Sequence, residues 1–148
     1  ALIDGLPPGG DELPPVPGLG DADDPWQIDE LPFVHDGDTS TGIAQIDAYS
    51  CGDIDESGPE RTYELTLAQD TAVRVLVLDR EGVDVDVHVL GGDAADSCVA
   101  RDDTAIATTL GAGTWRIVVD SWSDGATAYP GGYLLAVVPC DVGDPDCE

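Results

Sequence analysis

The side chains best equipped for chemistry in this sequence are carboxylates, and they recur at spacings that suit a hard cation. The segment DIDESGPERTYE, Asp53 to Glu64, matches in its letters the twelve-residue calcium loop D-x-D-x-S-G-x5-E. On that pattern Asp53, Asp55 and Ser57 offer side-chain oxygens, Pro59 a carbonyl, Gly58 the sharp turn and Glu64 a bidentate carboxylate. The surroundings are not those of an EF-hand. Glu60 stands at position eight, where an apolar residue is usual, and the flanks read as a cystine loop and a strand instead of two helices. With 24 aspartates in the chain, the letters leave two readings, a calcium site using part of this loop or a chance match in a solvated turn. A second group lies along GVDVDVHVL, Gly82 to Leu90. Strand alternation puts Asp84, Asp86 and His88 on one face, about 7 Å between successive side chains. Two carboxylates so placed can share a cation with loop oxygens, or they are the solvent face of a strand whose other face is the valine row. Asp120, at the end of the apolar strand in GAGTWRIVVDSW, is either a ligand or a turn cap.

Other chemistries find less support. His88 does not suggest zinc, because the only other histidine, His35, has no neighbour at ligand spacing. There is no GxSxG, no HExxH and no phosphate-cradling glycine loop. Paired acids of the glycosidase type stay open where Asp is this common. Aromatics total eight. Trp115 alternates with Ile117 and Val119 and reads as core, whereas Trp122 opens a loop and is the candidate for an exposed binding aromatic.

The composition narrows the partners. Thirty-one acidic residues face five arginines and no lysine, a formal net charge of −26, which repels nucleic acid and anionic lipid and attracts cations, calcium above all where carboxylates converge. Part of that charge reads equally as a solvated coat suited to a salty habitat. No stretch reaches the 18 or so apolar residues of a membrane span. The sequence opens on Ala1 without a basic-then-apolar leader, so any signal peptide is expected to have been removed. Four cysteines, Cys51, Cys98, Cys140 and Cys147, form no CxxC pair and read as two disulfides of an oxidising compartment. Three pairings are possible. The favoured one joins Cys140 to Cys147 through a small loop containing Gly143 and Pro145, and Cys51 to Cys98 across two distant loops. The chain is accordingly expected to be secreted, extracellular or at the cell surface.

The elements that would position these residues are strands. Residues 1 to 32 hold seven of the eleven prolines and too few apolar side chains for a core, and read as a Pro/Gly-rich acidic arm or linker. Residues 33 to 148 form the domain proper, with a C-terminal cystine loop. From Leu31 onward short β-branched runs alternate with turn residues, predicting an all-β, antiparallel β-sandwich of about eight strands with almost no helix. The expected strands are Leu31 to Val34, Ile43 to Tyr49, Arg61 to Leu67, Ala72 to Leu78, Val83 to Leu90, Thr104 to Leu110, Thr114 to Asp120 and Tyr133 to Val138.

Taken together, the run from Tyr63 through the DVDV strand, GAGTWRIVVDSW and YPGGYLLAV (Tyr129 to Val137) resembles the bacterial pre-peptidase C-terminal domain, a jelly-roll-like β-sandwich. The likeness spans roughly Leu31 to Pro139. It is strongest to variants in secreted proteins of myxobacteria-like organisms, where ESGPE (Glu56 to Glu60), GVDVDVH and a Gly-Thr-aromatic strand ending in VVDSW occur in this order. The resemblance implies a non-catalytic accessory module of secreted hydrolases, some members binding calcium and some binding extracellular polymers. It places Glu60, Asp84, Asp86 and Asp120 at the acidic positions of the pattern. Residues 1 to 148 are not expected to hold a catalytic domain beside the module, and the family pattern does not explain the Pro-rich arm. Three functions therefore compete: a calcium-binding extracellular module that binds or stabilises, a structural subunit of a homopolymer or filament joined to itself through residues 1 to 32, and an acidic hydrolase fragment.

Overall fold

The computed structural model describes residues 16–46, 48–52, 56–91 and 97–140. Its nine strands are β1 (Trp26–Ile28), β2 (Phe33–Asp38), β3 (Glu60–Leu67), β4 (Thr71–Asp79), β5 (Val85–Leu90), β6 (Cys98–Asp102), β7 (Ala105–Leu110), β8 (Gly113–Ser121) and β9 (Gly132–Pro139), with one 3₁₀ turn at Thr39–Thr41. They form a five-stranded sheet, order β1-β3-β8-β5-β6, and a four-stranded sheet, order β2-β9-β4-β7. Every pairing is antiparallel except that of β1 with β3. The expected antiparallel β-sandwich is present.

Period-two patterning builds the core. Val85, Val87 and Val89 of β5, Tyr63 and Leu65 of β3, and Ile117 and Val119 of β8 point from the five-stranded sheet into the gap. Val73, Val75 and Val77 of β4 and Tyr133, Leu135 and Val137 of β9 meet them from the other sheet. These thirteen side chains are all 2% exposed or less, and each contributes about 1.5 to 3 kcal/mol of apolar transfer if fully withdrawn from water. Trp115 packs against this core and anchors its indole by donating to the Gly111 carbonyl at 2.8 Å.

Three expectations need correction. Residues 43–46, 48 and 49 form no strand; with 50–52 and 56–59 they belong to a strap on the outer face of the five-stranded sheet, which meets the ladder at the Ile43–Glu60 bridge and through the Gly58 N–H to Ser121 carbonyl bond. Its apolar residues do not alternate towards one face: Ile43 is 51% exposed, while Tyr49 is buried and Ile46 packs beside it. The strand expected at Leu31 begins instead at Phe33, after Pro32, whose missing N–H cannot serve a ladder. Two strands lay outside the expected set. β6 is short, with a register irregularity at Val89/Leu90 on its partner. β1 lies within the segment read as an arm, so residues 16–32 are docked on the sandwich. Gln27 N–H donates to the Pro17 carbonyl at 2.9 Å, Thr62 N–H to the Gly20 carbonyl at 2.9 Å, and the Arg116 guanidinium to the Ala22 carbonyl at 2.9 Å. Residues 1–15 lie outside the described residues.

Candidate functional site

The second face of the five-stranded sheet carries the unusual chemistry. Register sets Glu60 of β3 opposite Asp120 of β8, and Asp120 opposite Asp86 of β5. Three acids thus stand side by side across three adjacent strands, where directly opposed like charges repel. The next rung along is Thr62, Val118, His88 and Arg101. The sequence left the Asp86–His88 face open between ligand and solvent face. It is not a solvent face, because the strap roofs it: Asp86 is 2% exposed, His88 0%, Asp120 0% and Glu60 1%.

The strap is held down at both ends and in the middle. Gln45 and Ile46 donate their backbone N–H groups to Glu60 Oε1 at 2.9 and 2.6 Å. Tyr49 lays its ring on that of His88, centroids 3.7 Å apart and 13° from parallel, and donates its hydroxyl to Asp120 Oδ2 at 2.6 Å. The Cys51–Cys98 disulfide ties the strap to β6, Cα atoms 5.4 Å apart. With Leu90 and Val118, Tyr49 makes a small second core on this face. At the far end Gly58 passes so close to β8 that a Cβ there would lie 2.6 Å from the Ser121 Cβ. Ser121 Oγ donates to the Pro59 carbonyl at 2.7 Å, fixing the chain where it enters β3.

The strap also delivers a fourth acid, Glu56, 1% exposed. It stands within hydrogen-bonding reach of Asp86, a contact that attracts only if one of the two carries a proton. With both ionised, neither Glu56 oxygen has a donor. His88 Nε2 is 3.0 Å from Glu56 Oε2, but without hydrogen-bond alignment. Burial holds the His88 pKa down to about 4, so at neutral pH this is no ion pair. Arg101 is the cation of the group, its Nη2 lying 2.9 Å from both Asp86 Oδ2 and Asp103 Oδ1. Burial raises Glu56 to about 7. It raises Asp86 to about 8, helped by the hydrogen bond that protonated Asp86 donates to Glu56, and Asp120 to about 10, helped by the neighbouring Glu60 charge.

The other candidates scatter. Asp84 precedes β5 at the margin of this cluster, half-buried, and burial lifts its pKa. Glu64 lies further along β3 beside Arg116, 3.8 Å away, and Ser57 is exposed on the strap. Asp53 and Asp55 lie outside the described residues, as does Cys147; Cys140 is disulfide-bonded. Trp122 is half-buried and stacks on Tyr129, centroids 5.6 Å apart and 15° from parallel. Among the described residues no three His, Cys, Asp or Glu side chains converge in a geometry that could hold a metal ion. Sequence reasoning missed Glu56 as a site residue, together with Tyr49 and Arg101. Nothing in linear spacing joins the strap to β5, and only the strap's path brings them together.

No protein-family model matches the sequence, and no curated protein matches it. Likeness to solved structures is found. The pre-peptidase C-terminal domain of a collagenase from Bacillus anthracis superposes with a TM-score of 0.51 at 16% identity, covering 75% of this chain and 91% of that one. A Podospora anserina GH26-CBM35 β-(1,4)-mannanase matches at 12% identity and TM-score 0.37, over 76% of this chain and 29% of that one. A ruminal GH26 endo-β-1,4-mannanase matches at 11% identity and TM-score 0.38, over 78% and 27%. The architecture is that of the pre-peptidase C-terminal domain.

Proposed function

We propose that the chain is a non-catalytic extracellular module whose strap is locked onto the sandwich by calcium. The observation that carries this reading is the Glu56–Asp86 pair: two carboxyls, 1% and 2% exposed, within hydrogen-bonding reach of each other, of which Asp86 has the Arg101 guanidinium at 2.9 Å while Glu56 has no donor and calls for a proton or a further cation. Calcium suits the site because the donors are hard oxygens that come from one rigid strand and one loop. Glu56 and Asp86 would hold the ion, with Asp84 at the margin. Calcium would supply the positive charge that offsets this repulsion. The disulfide supports an oxidising location. The non-catalytic reading is supported by the histidines' engagements: His35 Nδ1 lies 2.6 Å from the Tyr63 hydroxyl, and His88 is stacked beneath Tyr49.

The test is a thermal melt of the full chain in 0.5 M NaCl with either 2 mM calcium or chelator. At 100-fold saturation a single site adds about 2.7 kcal/mol, a rise of several degrees. Glu56→Gln should abolish most of the rise and leave the chelated protein no less stable. A melting temperature that calcium does not move in this screened buffer refutes the reading.

A further inference from the structure

The four sheet edges are defended unequally. On one flank, where Trp26 and His35 meet with ring centroids 4.4 Å apart, lie β1 and β2. β1 is three residues long and is overlaid by the 17–20 segment through the Gln27 N–H to Pro17 bond. β2 carries the exposed acids Asp36 and Asp38, and Arg80 lies across it on Asp36 at 3.1 Å. On the other flank β6 carries Arg101 and Asp102 and pairs across an irregular register. β7, Ala105–Leu110, has none of these devices: AIATTL holds no charge and no proline, and its pairing with β4 runs in register throughout. The Val77 N–H to Thr104 carbonyl bond sets the alternation of that ladder. Ala105, Ala107 and Thr109 therefore turn their backbone groups away from β4. Ala105 N–H is taken by Asp102 Oδ1. Among the described residues, the N–H and C=O groups of Ala107 and Thr109 meet nothing. An open, uncharged, unbulged edge of this length is a template for another strand.

We propose that β7 accepts residues 1–6 of a second copy of this chain as an added strand. ALIDGL is six residues long, as β7 is, carries one acid, and is the longest proline-free stretch ahead of Val16, with Pro7 and Pro8 ending it. The uncharged edge is a lane along which a nearly neutral strand can approach a body of net charge −26 without a charge–charge contact. The described chain starts at Val16 on the β1 flank, opposite β7. The point from which the donor segment extends and the acceptor edge thus lie on opposite flanks, which favours a heterologous contact that propagates into an open chain of subunits over one that closes a dimer. This does not rest on the calcium reading.

The full chain is taken to millimolar concentration in 1 M NaCl, with chelator, and followed by sedimentation velocity, negative-stain imaging and amide hydrogen exchange. The expected result is linear oligomers whose assembly protects the Ala107 and Thr109 amides at least tenfold. Ile3→Pro, outside the sandwich, and Ala107→Pro, which removes only an outward-facing N–H, should each leave monomers with unchanged circular dichroism. A tenfold excess of a peptide of residues 1–6 should shorten the wild-type oligomers. Monomer at every concentration overturns the proposal. So does assembly that survives Ile3→Pro, which would mean another contact, or protection of these amides independent of concentration, which would mean that residues 1–6 pair with their own sandwich. If Ala107→Pro fails to fold, Ile3→Pro and the peptide still decide.

Discussion

Val85, Val87 and Val89 look into the gap between the sheets, while Asp86 and His88, from the same six-residue strand, look into the space beneath the strap, and all five are 2% exposed or less. The inner side is lined by apolar side chains and by two tyrosines whose hydroxyls bond each other, and it buries no carboxylate. The outer side buries four acids against one guanidinium, so its stability depends on what neutralises them. Equal burial gives two kinds of core, one held by exclusion of water and the other conditional on solution chemistry.

The sharpest way to separate them is to release the strap. Cys51→Ser with Cys98→Ser opens a loop of sequence separation 47, and should cost about 4 kcal/mol in urea denaturation. Hydrogen exchange should then quicken in the strap before the valine rows; uniform quickening would show that the two cores are one unit. On the inner side, Leu135→Ala, fully buried, should cost about 3 kcal/mol, the same at pH 5 and pH 8 and with or without calcium. A cost that changed with calcium would break the comparison.

The outer core should respond to pH. Glu56, Asp86 and Asp120 titrate at about 7, 8 and 10 in the fold but near 4 when unfolded. Their contribution is therefore fully present below about pH 4. It is lost as pH rises through the folded values. His88, lowered to about 4, works the other way, losing stability as pH falls below 6.5. It is one group against three. In chelator the melting temperature should fall from pH 5 to pH 9, and calcium, replacing the protons, should flatten that slope. The smallest effect should come from Tyr49→Phe, which keeps the ring on His88 but removes the hydroxyl from Asp120, at about 1 kcal/mol. A loss above about 3 kcal/mol would mean that Tyr49 holds the strap mainly through that hydroxyl.

Alternation made the inner core legible: the rows from Tyr63 to Leu67 and Val83 to Val89 name their own buried faces. The sandwich followed from them. Alternation also suggested that Asp86 and His88 share a face, but periodicity describes a strand without saying what lies above it. The cover is the strap, which has no period, and its Ile43, Ile46 and Tyr49 read as a strand because apolar residues two or three apart mimic alternation. Glu56 was legible only as part of a turn. β1 was hidden by its prolines, which mark the segment as irregular yet leave Trp26–Ile28 free to pair.

The strand order also governs when this chain can become a protein. β8 joins β3 to β5, and β9 joins β2 to β4. Until both have been synthesised, the five-stranded sheet is only a parallel β1–β3 pair and a β5–β6 hairpin, and the four-stranded sheet is β4 with β7 beside an unpaired β2. None of these fragments can bury a two-sided core, and isolated two-stranded units are at best marginal in water. Folding must therefore wait until residues 113 to 139 have emerged. Such a chain stays threadable through a narrow channel until β8 and β9 are both free, and closes only then.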